Sequence, residues 1–368
     1  MLLMNRKTKI VKYIPLIILL ISLMLYVMSM YLPKTVPFVY PLWFYKTCSQ
    51  AFSVFVSIFP FSVAEWIIFL FPLYFLFLLG KGGYLWMRGT GKASVFWHTL
   101  GRRSRNATCY LLSIFILSAG INYHRKSLAE HAGLEVQAVT KEDLVEFCGY
   151  LAALTHGAGG YTHRSFNQNK KLVEAAYSSL SGSYPVFKGR YPSSKALLLS
   201  HWVSYAHIMG FFFPFTFESN INIDIPSFMI PAVIAHEQAH LRGFMREEDA
   251  EFTVFLLARY TDDRSLVYSF YLSTLMRSIS VLNRADPEAC QQLIADFSED
   301  IVADLVAYSD YWSRFRSPVG KISQTVNDAY LKVNSQSDGV QSYGRVVDLL
   351  IADYKQLQTI KNKENEND

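Results

Sequence analysis

Apolar runs in the first 123 residues commit this chain to a bilayer before any other feature has to be weighed. A helix rises about 1.5 Å per residue, so ~20 apolar residues cross a hydrocarbon core. Tyr13 to Leu32 form such a run, preceded by Arg6, Lys7, Lys9 and Lys12. A secretory signal peptide has a shorter apolar core that ends at small residues. Here the run continues to Pro33 and reads as an uncleaved anchor. A second run, Ala51 to Leu79, is broken by Glu65; its part over 61–79 is expected to span, with the preceding segment at the interface and Glu65 near the outer end. A third span is expected over 106–123. Residues 1–123 then form a membrane domain with about three transmembrane helices (13–32, 61–79, 106–123), and 124–368 a soluble domain.

Positive charge orients the spans. Lys81, Arg88, Lys92, Arg102, Arg103 and Arg105 lie between the second and third, whereas Lys34 and Lys46 are the only basic residues between the first and second. The N-terminus and the second connection are therefore expected in the cytoplasm. The soluble domain of this multi-pass cell-membrane protein is then extracytoplasmic. The composition agrees with a membrane part joined to a water-soluble part: 51% apolar, 18% charged and a mean hydropathy of +0.16 exclude a disordered chain. The net charge of +5 comes from basic residues near the apolar runs, so it faces lipid and is no nucleic-acid footprint. Four cysteines without a CxxC pair exclude a disulfide mini-protein and a cysteine zinc finger. Cys148 and Cys290 fall in the soluble part, where the sequence alone does not show whether they meet.

The soluble part reads as mainly helical. Thr140 and Asp143 form a capping pattern, and Leu144, Phe147, Cys148, Leu151 and Leu154 follow at helical spacing up to Gly157, Gly159 and Gly160. Further helices are expected at 168–180, 194–209, 246–260, 264–283, 286–308 and 320–333, with a frayed polar end over 361–368. Phe211 to Ile225, FFFPFTFESNINIDI, alternates from Phe215 onward with the period of a half-buried strand and stops at Pro226. The expectation is a short strand with a free edge, set immediately before a helix that starts at Pro231.

That helix carries the chemistry. It contains His236-Glu237-Gln238-Ala239-His240, an HExxH that places two imidazoles one turn apart on one face, where both reach a single metal ion. Glu237 beside them suits a general base acting on a metal-activated water. Gly243 lets the chain turn back into Arg246-Glu247-Glu248-Asp249-Ala250-Glu251-Phe252. A catalytic zinc site uses three protein ligands and an open position. Glu247 is the candidate third ligand, Ala250 permits close helix approach, and Glu251 is a candidate for orienting a ligand histidine. Glu248 and Asp249 compete for the ligand role, and a solvated acidic helix start is the plain alternative.

HExxH followed by Glu-x-x-Ala-acid resembles the zincin metallopeptidases whose third ligand is glutamate, the gluzincins. The longer string from Gly210 to Phe252 is similar to the bacterial multi-pass membrane family catalogued as domain of unknown function 3810, which carries Pro-Phe-Thr, Glu-x-Asn-x-Asn, HExAH, Gly and Glu-x-x-Ala-Asn-Phe. Together the two resemblances imply Zn2+ held by His236, His240 and Glu247, with Glu237 as base. Glu251 stands where the family usually has Asn, which makes it an alternative ligand.

The resulting expectation is a helical zincin-like metallopeptidase domain with a short β element, acting on a peptide or protein substrate. Tyr205, His201 and His207 are candidate oxyanion donors, and Asn220 and Asn222 candidate substrate contacts on the strand. A non-catalytic, metal-stabilised membrane protein that binds peptide or cell-envelope partners is the alternative from another class. A transporter is disfavoured by the few spans and the large soluble part.

Overall fold

The computed structural model describes residues 2–89, 91–137, 139–333 and 343–367. It is mainly helical, with sixteen described α-helices and three short strands. The chain divides into two compact units: Met1–Arg125 with Phe213–Glu218, and Lys126–Phe212 with Ser219–Asp368.

In the first unit, α1 (Leu2–Tyr31) is followed by the short α2 (Val36–Val39) and by α3 (Leu42–Val56), α4 (Val63–Met87) and α5 (Lys92–Ser118). Three segments are long and apolar enough to cross a membrane: Lys12–Tyr31, Val63–Met87 and Lys92–His124. The chain therefore has the makings of a membrane protein. The basic residues expected in the second connection lie mostly on α5, because the helix starts at Lys92 rather than near Asn106. Glu65 sits in the first turn of α4, where its N–H is capped by Ser62 Oγ at 2.9 Å and its charge suits the positive end of the helix. Glu218, which belongs to this same unit, caps the helix further. Its carboxylate accepts the N–H groups of Val63 and Ala64 at 3.0 and 2.8 Å and the Thr216 hydroxyl at 2.6 Å. Phe217, held at φ +52°, contacts the rings of Tyr45 and Phe52.

The second unit runs from α6 (Leu128–Ala132) through α7 (Lys141–Ala158) and α8 (Phe166–Ser183). Strand β1 (Lys195–Ala196), helix α9 (Ser200–Ser204) and strands β2 (Gly210–Phe213) and β3 (Glu218–Ile221) follow, the last two crossing the unit boundary. Helices α10 (Ile230–Leu241), α11 (Glu247–Leu257), α12 (Arg264–Ala285), α13 (Pro287–Ala295), α14 (Glu299–Ser313), α15 (Pro318–Val333) and α16 (Tyr343–Asn367) complete it. Ser127/Glu130, Thr140/Asp143 and Ser165/Gln168 close capping boxes on α6, α7 and α8. Helices α10 and α11 are buried on nearly every face, as befits interior helices with apolar residues all round. Leu266, Phe270, Leu272 and Leu275 of α12 pack with Phe147 and Leu151 of α7 and Phe252 and Phe255 of α11 in one core. Cys148 and Cys290 are both buried and both free.

Several expectations change. The segment 194–209 is no long helix: Lys195 and Ala196 pair in parallel with Asn220 and Ile221, and only Ser200–Ser204 coils. Sheet pairing overrides local propensity there. The expected helix over 286–308 breaks at Asp296–Ser298 into α13 and α14. The polar end over 361–368 is helical as far as Asn367, with Asp368 outside the described residues. The sheet order β1-β3-β2 places β3 in the middle, so the strand preceding the HExxH helix is no edge strand; β1 and β2 form the edges.

Glu218 satisfies backbone donors that would otherwise be orphaned at a helix start. Replacing Glu218 with Ala should cost about 1–3 kcal/mol, read as a drop of several degrees in the thermal midpoint of the purified full chain in detergent.

Candidate metal centre

Pro231 starts α10 in its first turn, and Gly243, at φ +100°, lets the chain reverse into α11 within a few residues. This tight return brings the first turn of α11 to the histidine face of α10. His236, His240 and Glu247 each present one ligand atom, all within 4.8 Å of one another. The Nε2 atoms of His236 and His240 are 3.0 Å apart, and the Glu247 carboxylate lies 3.3 Å from the first and 3.6 Å from the second.

The opposite edges of both rings are fixed. His240 Nδ1 lies 2.7 Å from the Phe244 carbonyl, which only accepts, so Nδ1 carries the hydrogen. His236 Nδ1 faces Glu251 Oε1 at 2.9 Å, and that same oxygen accepts from Arg277 of α12. Both Nε2 lone pairs are thereby aimed at each other and at a carboxylate. Three electron-rich atoms converging in a buried place call for a cation among them: a proton on one ring or a metal ion.

The electrostatics agree. Burial works against charging His236, but the Glu251 and Glu247 carboxylates outweigh it and raise the group well above the ordinary histidine range. Burial and the neighbouring His236 push His240 down to about 4. Burial also opposes the charge on Glu247, yet its hydrogen bond to His236 and both imidazoles pull it down to about 2. Glu237 goes the other way, lifted to about 8 chiefly by burial. One Glu237 oxygen is held by the Phe212 N–H, while Oε2 is buried with no hydrogen-bond partner. Two imidazoles with one carboxylate fit the protein donor set of a catalytic zinc, and Glu237, adjacent to His236 in the sequence, keeps a buried, unpartnered oxygen.

Strand β2 lies against this helix. A Cβ on Gly210 would come within 3.0 Å of Glu237 Cγ and 2.7 Å of Val233 Cγ1, so only glycine permits the approach. Met209 O accepts the Asn222 N–H on the β3 side. By two-residue alternation the backbone groups of Gly210 and Phe212 point away from β3.

The other acidic candidates are engaged elsewhere. Asp249 accepts from the Leu128 N–H at 2.8 Å and Arg246 Nε at 2.9 Å, and Glu248 is 3.8 Å from Arg345. The candidate oxyanion and substrate residues are not brought into the cluster. Tyr205 packs on Phe315, with ring centroids 5.1 Å apart, and its carbonyl accepts from Ser317. His207 stacks on Trp312 and lies 3.1 Å from the Phe315 carbonyl, while His201 pairs with Asp224. Asn220 and Asn222 are fully buried because β3 is the central strand, so neither is a surface substrate contact. Asn222 donates to Ser204 Oγ at 2.8 Å and Ile208 O at 2.9 Å and accepts from the Asp224 N–H at 3.0 Å. Sequence reasoning missed Arg277, 26 positions beyond Glu251, and Phe212, whose contribution is a backbone N–H without a sequence signature.

The family model described as "Protein of unknown function (DUF3810)" matches residues 40–351. The chain belongs to this family. No curated protein and no solved structure shows a significant match to the chain. The match covers the whole HExxH-to-Glu251 segment of this DUF3810 member as well as α4 and α5.

With its amide and carbonyl both engaged inside the fold, Asn222 is a structural residue. Asn222→Ala is expected to destabilise the protein by about 1–3 kcal/mol through the buried partners it leaves unmet. Urea denaturation of the purified chain checks this; an unchanged midpoint would return Asn222 to the surface.

Proposed function

We propose that this DUF3810 member is a zinc-dependent, membrane-anchored metallopeptidase of the gluzincin type, with its helical unit on the extracytoplasmic side. The observation that carries the reading is the convergence of His236, His240 and Glu247 beside a buried Glu237 whose Oε2 has no partner. The side of the membrane rests on the clustering of Lys and Arg before the Tyr13–Leu32 run and between Lys81 and Arg105.

His236, His240 and Glu247 would hold the ion, and Glu251 serves as orienting acceptor rather than ligand because its Oε1 is on the Nδ1 edge of His236. Bound zinc supplies a Lewis acid that polarises a peptide carbonyl and makes water more acidic. Glu237 removes a proton from the attacking water as its oxygen bonds to the carbonyl carbon, then delivers that proton to the amine as the C–N bond breaks. Burial makes Glu237 basic enough for the first transfer, and the Phe212 N–H fixes its direction. As an edge strand, β2 offers an extended peptide a strand to pair with, the Phe212 N–H itself being taken by Glu237. This role passes to β2 from β3, whose two sides are occupied.

A non-catalytic metal-stabilised domain is the second reading, favoured by the tie between Glu237 and Phe212, which a purely structural carboxylate would also make. Glu237→Gln separates the two. Under the peptidase reading, zinc content stays at one per chain while hydrolysis of a quenched-fluorescent peptide library falls by about 10²–10⁴-fold. His236→Ala/His240→Ala is expected to lose both zinc and hydrolysis. Equal turnover in Glu237→Gln and the parent would leave only the binding domain.

A further inference from the structure

We propose that Arg277 of α12 is a positioning residue for the centre, fixing Glu251 on the Nδ1 edge of His236 so that Nε2 is presented to the ion. The inference rests on the zinc reading of the same cluster and names a residue that lies outside the HExxH and acidic segments.

The contact geometry supports it. Arg277 Nη2 and His236 Nδ1 meet the same oxygen, Glu251 Oε1, the latter at 2.9 Å. The Glu251 side chain is 6% exposed and that of Arg277 20%, so the pair is largely withdrawn from water. A carboxylate so near two imidazoles has two uses: it ligates the ion, or it accepts a proton from a ring that does. A guanidinium on the very oxygen that meets Nδ1 ties Glu251 to the second use. The same contact bears on the tautomer. With the hydrogen on Nδ1, the edge that faces Glu251, the His236 lone pair is on Nε2, 3.3 Å from Glu247 and 3.0 Å from His240 Nε2.

Charge counting points the same way. Glu237, Glu247 and Glu251, when ionised, place three negative charges around two neutral imidazoles. A divalent ion cancels two, and Arg277 cancels the third. Arg277 thus lets an additional acid stand at position 251 without drawing the ion away from Glu247. The restraint also crosses elements, linking α12 through α11 to α10, three helices that share the core.

The test is zinc affinity, measured on the purified full chain by competition with a chromophoric chelator. Arg277→Gln is expected to weaken zinc binding by about 10–100-fold. Arg277→Lys should recover part of the loss, because it restores the charge without the planar fork. In a Glu251→Gln background the Arg277→Gln change should have little further effect, since the two act through one contact. Thermal midpoints taken in parallel separate affinity from folding, and Arg277→Lys keeps the test open if Arg277→Gln does not fold. Unchanged affinity in a folded Arg277 variant, or an equal loss with and without Glu251, overturns the proposal while leaving the zinc reading intact. A parent chain that binds no zinc overturns both.

Discussion

Two imidazole nitrogens held 3.0 Å apart, with a carboxylate beside both, form a contact that is unfavourable unless a positive charge sits within it. The surrounding architecture serves to maintain that contact. The tight return at Gly243 brings α11 onto α10. The Phe244 carbonyl and Glu251 fix the outer ring edges, and Arg277 fixes Glu251. Strand β2 closes the remaining side at Gly210 and ties down Glu237 through Phe212. Each restraint costs side-chain entropy, and their common product is the convergence of His236, His240 and Glu247 on which the proposed zinc site rests.

The sheet acquires its meaning from the same arrangement. A three-stranded sheet is an unusual addition to a helical unit, and its central strand has no free edge to offer. Its contribution is to hold β2 against the HExxH helix. The buried amides of Asn220 and Asn222 brace that hold from within: one donates to the Phe211 carbonyl, the other to the Ile208 carbonyl just before β2. The turn between β2 and β3, Phe213–Glu218, belongs to the first unit, where Glu218 completes the start of α4.

How much of this was legible in the sequence follows from the range of each interaction. The three helices long and apolar enough to cross a membrane were visible because a bilayer demands long apolar runs, although α5 begins earlier than apolarity indicates because basic residues also form helix. The HExxH cluster was visible because its members lie within one helix and the next, where spacing in sequence translates directly into geometry. The sequence favours Glu247 as candidate third ligand over Glu248, Asp249 and Glu251, but only the partners Leu128, Arg345 and Arg277 show where the competing acids point. The segment 194–209 was misread because a parallel pairing with Asn220 and Ile221 leaves no local periodic mark. For the same reason the alternation in Phe215–Ile223 signalled a strand without revealing that both its edges are paired. Tyr205 and His207 have side chains suited to oxyanion binding, but their surroundings are Phe315 and Trp312.

X-ray absorption at the zinc edge, on the purified full chain loaded with one equivalent of metal, reports the ligands of the proposed site. A site built from His236, His240 and Glu247 gives neighbours that are nitrogen and oxygen only, at about 2.0–2.2 Å, with the multiple-scattering signature of two imidazoles. That signature should vanish in His236→Ala/His240→Ala. Neighbours without imidazole, or zinc taken up equally by the double variant, would contradict this assignment.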